Sequence, residues 1–547
     1  MTVSMVLVTL LLSFFMSACF PIDHPDRADQ SVRIGGLFSS LNIETTDDNF
    51  GNSFFQSNQK NIWVITNVNS RLNCNNKQII KIKSSPLQGC TLQSPFIGGA
   101  YLFQKKANQW DLDTLFKPHQ QQQRHSFGFA GQISEDGRTL AVADPHDSAA
   151  TRDQQACQGI VTDETTPNLK DCSAKWIADK TTGFQAGAVY IYEYNADQSS
   201  WLQTALIKPP IIRSLKNPLQ NYLFGTSVAM NAAGNLLAIG AMSDNSDCQE
   251  LLSATDSNFI SKLQACLDNP NAHSSGALYL YEKNKQLKWS LTAVSLSKKS
   301  NEFFSSHTKI TAKGKSIAVA GLRQLHILER VRDKWQQETI PISGSHVISS
   351  IALSSDGLTL ATGHINNNQD CKGITQDEKA ACLTTKASET GGAFIYNKTD
   401  NGWEQQAFIK SDAPIENEQF GQNIHLNQDG TQLVVGTDNS DTCLGTFSNR
   451  QACVAQAQQQ RQPNGGAVYV FQQFNNEWQP LFFLKAPHMS TQFGLAKGGS
   501  QGIQFDENNL LIFFKSKLAC ELFNEETNAC FKKDAPERSG VMQFFLP

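Results

Sequence analysis

Residues 224–241, FGTSVAMNAAGNLLAIGA, are the clearest copy of a unit that recurs along this chain of 547 residues. The unit predicts one strand at Phe224–Met230 and a second at Leu236–Ala241, because short apolar runs alternate with turn residues. After a polar insert, a third strand is predicted at Gly276–Tyr281, and Trp289 opens a fourth. Helical periodicity is absent from these runs. Each unit is therefore predicted to be a small antiparallel sheet of four strands.

The landmarks of this unit occur seven times. Five copies begin with Phe-Gly and two with variants of it, in the order Phe50-Gly51, Phe127-Gly128, Phe224-Gly225, Phe303-Phe304-Ser305, Val347-Ile348-Ser349, Phe420-Gly421 and Phe493-Gly494. Six copies carry a strand-four tryptophan, at Trp110, Trp201, Trp289, Trp335, Trp403 and Trp478. Seven copies of a four-stranded unit predict an all-β fold, a seven-bladed β-propeller.

The seventh copy lacks the tryptophan, since the sequence ends at Pro547 directly after its third strand. A strand-like segment, Ser31–Phe38, precedes the first copy. A blade with an unpaired edge would expose a row of backbone hydrogen-bonding groups. We therefore expect Ser31–Phe38 to pair beside Gly540–Phe545 as the fourth strand of blade seven. This N-terminal strand would close the ring, so that residues 31–547 form one propeller.

The repeated pattern resembles a known family. Phe-Gly, a strand, a Gly turn, a Leu-Ala-Ile-Gly-Ala strand, an insert, a Gly-Ala-Leu-Tyr strand and a Trp follow one another as in the FG-GAP repeats of integrin α chains. The chain is still more similar to bacterial FG-GAP lipoproteins, and the resemblance covers about residues 31–547. It implies a seven-bladed propeller used mostly for binding.

Integrin-type repeats often carry a calcium loop of Asp-x-Asp-x-Asp-Gly type between strands one and two. Here the corresponding turns, such as Glu135-Asp136-Gly137 and Gln428-Asp429-Gly430, offer too few oxygens for the 6–8 ligands of Ca²⁺. Two later loops, Asp244–Asp247 and Asp438–Asp441, are richer in carboxylates. They fit either a metal site or a solvated polar turn, and we expect the polar turn and no metal.

The N-terminus predicts export and a lipid anchor. The apolar run Val3–Phe15 is too short to span a bilayer, and Met16-Ser17-Ala18-Cys19 follows it. Small residues directly before a cysteine resemble the lipobox of bacterial lipoproteins, although residues 1–4 contain no Lys or Arg. Residues 1–18 are thus predicted to be a signal peptide, Cys19 the lipidated residue and 19–30 a tether. The alternative is an ordinary signal peptide that is cut nearby.

The remaining twelve cysteines form six local couples, in which Cys74 is paired with Cys90, Cys157 with Cys172, Cys248 with Cys266, Cys371 with Cys382, Cys443 with Cys453, and Cys520 with Cys530. Secreted proteins use cysteines in this way as disulfides, and no C-x-x-C spacing points to zinc. The fourth copy alone has neither an insert nor a couple, since Ala318–Gly321 runs almost directly into Leu325–Leu328. We therefore expect six disulfides within blades, each bracing an insert.

Motifs for chemistry are weak. The formal net charge is −4 and basic residues form no stripe, so a nucleic-acid partner is not expected. Residues 498–502 match G-x-S-x-G, but Ser500 would lie on an inner strand, outside the strand–turn–helix context that a nucleophile needs. No Gly-rich loop opens a helix and no His pair has metal-ligand spacing, so no cofactor and no enzymatic activity are predicted.

The inserts all connect strands two and three, so they gather on one face of the predicted disc. Loops on a rigid scaffold carry binding functions, and Trp176, Phe184 and Phe259 are candidate contact residues within them. The alternative is that each aromatic ring is buried in its own insert. We expect a protein- or glycan-binding module of the bacterial cell envelope, at the outer membrane or cell surface rather than the inner membrane. The alternatives are an enzyme at the mouth of the central channel and an envelope assembly factor.

Overall fold

The computed structural model describes residues 33–39, 50–57, 59–75, 77–82, 90–92, 96–106, 109–118, 125–147, 157–165, 168–169, 172, 186–211, 223–267, 273–342, 347–369, 371–376, 388–437, 446–447, 451, 466–485, 503–506, 509–516 and 538–545. The predicted signal peptide, Cys19 and tether lie outside this set. Within it, no helix is both long and apolar enough to cross a membrane.

Almost every described element is a strand. In the first half of the chain these are β1 (Arg33–Ser39), β2 (Phe50–Ser57), β3 (Ile62–Asn67), β4 (Leu72–Asn73), β5 (Ile79–Lys81), β6 (Thr91–Leu92), β7 (Gly99–Lys106), β8 (Gln109–Phe116), β9 (Gly131–Ile133), β10 (Thr139–Asp144), β11 (Ile160–Val161), β12 (Ala188–Asn195), β13 (Ser200–Ile207), β14 (Phe224–Met230), β15 (Leu236–Ala241), β16 (Leu251–Ser253), the helix α1 (Phe259–Leu267), β17 (Ala277–Lys283) and β18 (Trp289–Leu296).

The second half continues in the same way. Its strands are β19 (His307–Ile310), β20 (Ser316–Ala320), β21 (Leu325–Val331), β22 (Lys334–Ile340), β23 (Ser350–Leu353), β24 (Thr359–His364), β25 (Ile374–Thr375), β26 (Gly392–Thr399), β27 (Gly402–Ile409), β28 (Asn423–Leu426), β29 (Gln432–Thr437), β30 (Thr446–Phe447), β31 (Ala467–Phe474), β32 (Glu477–Leu484), β33 (Ile503–Asp506), β34 (Asn509–Ser516) and β35 (Arg538–Phe545).

These strands form seven antiparallel blades, as the repeats predict. In blade three the order is β14-β15-β17-β18, so consecutive long strands are neighbours. The second strand of this blade, β15, is buried along its whole length. It pairs on one side with β14 and on the other with β17, which explains why its sequence is apolar without alternation. The other blades repeat this order, and the fold is the predicted seven-bladed β-propeller.

The N-terminal strand completes blade seven. β1 pairs antiparallel with β35, from Arg33 opposite Phe545 to Ser39 opposite Gly540, which confirms the predicted pairing. Blade seven also lies against blade one, since Gln56 Nε2 donates to the Phe505 carbonyl at 2.8 Å. Leu511 of blade seven shares a hydrophobic cluster with blade-one residues.

The Phe-Gly landmark marks a contact between neighbouring blades. Phe224 forms a parallel bridge with Gly187, the residue before the third strand of the preceding blade. Gly187 has a φ of 82°, and a Cβ built on it would lie 2.1 Å from the Phe224 carbonyl oxygen. Only glycine meets both demands without strain. The two recurring signals, Phe-Gly and Gly-Ala, are therefore the two halves of one junction.

Candidate binding surfaces: the insert face and the channel

The connections between strands two and three leave the propeller at one end, here called the insert face. In blade three the insert, residues 242–276, contains β16 and α1. Because strand one also begins and strand four also ends at the insert face, the inserts lie beside the links between blades. The tight turns between strands one and two, and between strands three and four, lie at the opposite end.

Five inserts reach the outer edge of their blade and add a short strand there. Each short strand pairs antiparallel with the end of strand four, in the pairs β5 with β8, β11 with β13, β16 with β18, β25 with β27, and β30 with β32. This pairing covers part of an edge that would otherwise be open. It also fixes each insert at its far end. These strands are only two or three residues long, so the sequence pattern does not predict them.

Disulfides brace the same inserts. Cys74 bonds to Cys90, Cys157 to Cys172 and Cys248 to Cys266, all within single inserts, which confirms three of the expected couples. Loop closures of about 15 residues are worth about 3 kcal/mol in the chain-entropy model.

The other three expected couples are only partly described. Cys371 is disulfide-bonded. The remaining cysteines of these couples lie outside the described residues, namely its expected partner Cys382, and Cys443, Cys453, Cys520 and Cys530. The pairings of Cys371 with Cys382, of Cys443 with Cys453, and of Cys520 with Cys530 therefore stay predictions.

In blades one, two, three and five, where the structure describes both ends of the insert, a hydrogen bond closes its base. The residue three positions after strand two accepts, through its carbonyl, the N–H of the glycine that precedes strand three. The pairs are Gly98 to Ser70 at 3.1 Å, Gly187 to Asp147 at 3.0 Å, Gly276 to Asp244 at 2.8 Å and Gly391 to Asn367 at 3.0 Å. An insert thus enters and leaves its blade through a neck of fixed width.

In blade two the neck residue also anchors a buried charge pair. Asp147 Oδ1 lies 2.9 Å from Lys208 Nζ, and both side chains are fully buried. Tyr190 donates its hydroxyl to Asp147 Oδ2 at 2.7 Å. Although burial opposes ionisation, Lys208 and His125 hold the pKa of Asp147 well below its usual range. The Asp147 carboxylate is therefore ionised, and the low-dielectric setting strengthens its contact with Lys208.

Blades one, three and five carry polar groups at some of the same positions, although Phe394 takes the place of the tyrosine in blade five and Ser297 that of the lysine in blade three. We call the neck residue, the tyrosine two residues into strand three and the lysine directly after strand four the polar root. In blade one Lys117 donates to Ser70 Oγ at 3.0 Å, and in blade five Lys410 donates to Asn367 Oδ1 at 3.0 Å. In blade three Tyr279 donates to Asp244. The recurring lysine after strand four was the sequence signal that could have revealed this arrangement.

A second buried pair stands beside the root of blade two. His125 Nδ1 lies 2.6 Å from Asp144 Oδ2. Burial disfavours the charged imidazole, but Asp144 more than compensates, so the pKa of His125 is raised. Asp144 Oδ1 also accepts the Ser126 N–H at 2.9 Å. Asp144, at the end of the second strand of this blade, thereby holds the segment that precedes its inner strand β9.

The predicted contact residues divide between described and undescribed parts of the inserts. Trp176, Phe184 and Ser500 lie outside the described residues. Phe259 is only 6% exposed and packs in the hydrophobic cluster that includes Leu263 and Cys266. Its burial favours the alternative weighed from the sequence, that the ring stabilises its own insert. The neighbouring Ile260 is 60% exposed instead, a residue that sequence reasoning did not select.

The carboxylates of the turns between strands one and two are used locally. Asp356 Oδ1 accepts the Leu358 N–H at 2.9 Å and the Ser354 hydroxyl at 2.6 Å. Asp429 Oδ1 accepts the Thr431 N–H at 3.0 Å in the same manner. These contacts are typical of turns that an aspartate caps. Among the described residues there is no group of three potential metal ligands.

The inner strands of all seven blades line one cavity on the propeller axis, with a volume of about 310 Å³. One lining residue from each blade in turn is Ser53, Gly131, Ser227, Lys309, Ser350, Asn423 and Ile503. Ile365, which directly follows β24, also lines it, so the cavity lies toward the insert face. No carboxylate is found among its described lining residues.

Hydroxyl groups of this lining join neighbouring blades. Ser53 donates to the Phe129 carbonyl at 2.8 Å, and Ser227 donates to the Ser305 carbonyl at 2.7 Å. Ser350 donates to the Gly421 carbonyl at 2.8 Å. Each bond crosses from one blade to the next. These serine hydroxyls therefore help to hold neighbouring blades together. A hydroxyl that donates one hydrogen bond still has lone pairs that can accept another from the cavity.

Lys309 is the charged group of this lining. Burial lowers its pKa to about 8. His307 beside it and His425 on β28 have pKa values lowered to about 4 and about 3, by burial and then by the charge of Lys309. Both imidazoles are thus neutral at pH 7, whereas Lys309 is mainly charged.

No protein-family model and no curated protein sequence matches this chain. Among solved structures, it is similar to hydrazine synthase of Kuenenia stuttgartiensis, with 9% identity, 79% of each chain covered and a TM-score of 0.36. It is similar to a candidate 6-phosphogluconolactonase of Bacteroides uniformis, with 9% identity, 82% of this chain and 94% of that one covered and a TM-score of 0.36. A protein of Lactobacillus plantarum matches with 11% identity, 84% and 97% covered and a TM-score of 0.39. We transfer neither ligand nor activity from these proteins.

Proposed function

We propose that this propeller is a binding module of the bacterial cell envelope that recognises a protein or a glycan through its insert face. In this proposal Cys19 carries acyl chains that hold the domain at a membrane, and residues 19–30 form the tether. The proposal rests on the lipobox-like sequence around Cys19 and on the way in which the inserts are held.

The main support is the fixation of the inserts at both ends. At the inner end, the neck hydrogen bond and the polar root hold the insert to strands two, three and four. At the outer end, a short strand pairs with strand four, and a disulfide joins points within the insert. Loops held in this way lose little conformational entropy when a ligand binds, and preorganisation of this kind raises affinity.

Exposed apolar side chains on the inserts give this face contact groups. Ile260 on α1 is 60% exposed, and Leu92 of the first insert is 46% exposed. Phe259 packs the buried side of α1 into the hydrophobic cluster, so the opposite side of the helix faces solvent. Single exposed apolar residues are common on protein surfaces, but these two are distinguished by their position on braced inserts.

The experiment that tests this function removes one insert through its neck. Ser274 N–H donates to Asn245 Oδ1 at 2.7 Å, so a two-glycine link between these residues can replace residues 246–273. Blade four shows that a blade of this propeller needs no insert. Binding of the variant and of the wild type would be measured on a glycan array and on purified envelope components.

We expect the shortened variant to keep its β circular-dichroism signal and to lose at least tenfold in affinity for whichever component the wild type binds. The matched control is Leu287→Ser, which alters an apolar side chain that is 73% exposed at the opposite end of the propeller. Equal binding by the shortened variant, or loss of binding in the control alone, would place the contact surface elsewhere.

The anchor is tested separately with Cys19→Ala. The variant should fold but stay in the soluble fraction, and a fatty-acid analogue should label the wild type and not the variant. Equal labelling of both proteins would contradict the lipobox interpretation.

A further inference from the structure

In the axial cavity, one lysine differs from the buried lysines elsewhere in the described residues. Lys117, Lys208, Lys410 and Lys485 each donate to an oxygen of the protein. Lys309 lines the cavity, and its side chain has no hydrogen bond or ion pair with any described residue. An ammonium group in a partly desolvated channel without a counter-charge is unfavourable, and an anion entering the channel would relieve that cost.

A second group of the lining is also unsatisfied. The side-chain oxygen of Gln422 is shielded from solvent and has no hydrogen-bond partner among the described residues. Gln422 lines the same cavity as Lys309, two blades away around the ring. A carboxamide can donate through its nitrogen and accept through its oxygen, so a rotation of the Gln422 side chain toward the cavity would suit a ligand that carries hydroxyl groups.

The other lining residues indicate the chemistry that the rest of the ligand would need. Val228, Ile351 and Ile424 offer apolar surface, while Ser306 and Asn423 offer polar groups. The volume of about 310 Å³ corresponds to roughly ten waters at about 30 Å³ each. A ligand with one negative charge, hydroxyl groups and an apolar face, of about monosaccharide size, matches these features.

We propose that the axial cavity binds a small sugar acid, with the Lys309 ammonium as the charge partner of its single carboxylate. One lysine balances one carboxylate, whereas a phosphate dianion would leave a negative charge uncompensated in the channel. Lys309 also presents a single point charge and lacks the fork that favours bidentate binding of phosphate. This site is additional to the insert face, and neither proposal depends on the other.

The test uses the full chain and calorimetric titration at pH 7 with D-glucuronate, with neutral D-glucose and with inorganic phosphate. We expect glucuronate to bind at least about tenfold more tightly than glucose, because its carboxylate can accept a charge-assisted hydrogen bond from Lys309 that the neutral sugar cannot match. Lys309→Met should remove this preference, and the control Lys285→Met, at an exposed turn lysine, should leave it intact.

A second readout guards against misfolding of the variant. A bound carboxylate raises the pKa of a neighbouring amine, so glucuronate should slow acylation of Lys309 in the wild type, as measured by mass spectrometry, and glucose should not. Equal binding of glucose, tighter binding of phosphate, absence of binding by all three probes, or unchanged acylation of Lys309 would each overturn the proposal.

Discussion

Blade four and blade three differ in what lies between their second and third strands. Blade four passes from Ala320 to Leu325 through a short turn, whereas blade three places β16, α1 and the Cys248–Cys266 disulfide there. Both blades nevertheless contain the same four long antiparallel strands. The comparison shows that four strands suffice for a blade and that the insert is an addition to it.

Members of the polar root occur, among the described residues, in blades with an insert and not in blade four. In blade four the position of Tyr279 is held by Ile327, which is buried in an apolar cluster. Pro341 follows its fourth strand, where blades one, two, five and six have a lysine. The buried charges and hydroxyls therefore belong to the attachment of inserts and not to the propeller itself.

The largest effect is expected when one root is broken in blade two. Asp147→Ala leaves the Lys208 ammonium buried without its carboxylate, so the free energy of unfolding should fall by about 3–5 kcal/mol. The double variant with Lys208→Met should recover most of that loss, because no unpaired ammonium then stays buried at the root. Urea unfolding measures both. A single variant within about 1 kcal/mol of the wild type would mean that the root does not support the insert.

The junction between blades gives a second prediction. Gly187→Ala adds a Cβ 2.1 Å from the Phe224 carbonyl oxygen at a φ of 82°, and should destabilise the protein by about 3 kcal/mol or more. Gly159→Ala is the matched control, since Gly159 has a φ of 69° and no atom within 4 Å of the added Cβ, and should cost about 1–2 kcal/mol. In blade four Gln324 occupies the position of Gly187, so Gln324→Ala should be nearly neutral. Equal losses for both glycine variants in thermal unfolding would contradict a steric junction.

The smallest effect is expected at Lys309, the lysine that blade four contributes to the central channel. Burial lowers the pKa of Lys309 from 10.5 to about 8, so between these values the unfolded chain binds more protons than the folded one. Stability due to this residue therefore rises with pH from about 8 to about 10. Melting temperatures of wild type and Lys309→Met should converge over that range, with the variant more stable at pH 7 by about 1 kcal/mol, a figure reduced for its partial exposure. A variant less stable than wild type at pH 7 would show that Lys309 has a protein partner.

The recurrence of Phe-Gly, Gly-Ala and Trp was enough to predict the seven blades and the pairing of β1 with β35, because each landmark occupies a fixed position in the blade. The short outer strands and the polar root were not predicted. Their pairing partners are distant in sequence, and a lone Lys208 or Asp147 looks like a solvated surface residue until the fold buries it. The sequence also did not show which apolar residue of α1 is exposed. Phe259 was selected as a contact residue but is buried, whereas its neighbour Ile260 faces solvent on the same helix.

The most direct test of the account is hydrogen exchange of the whole chain with and without reductant, followed by mass spectrometry. Peptides from the blade-three insert, 246–267, should exchange faster once Cys248–Cys266 is reduced, while peptides from blade four, 316–340, should keep their protection. This result would show that the disulfides brace inserts on blades that hold themselves. Loss of protection in blade four on reduction would contradict it, because that blade contains no cysteine.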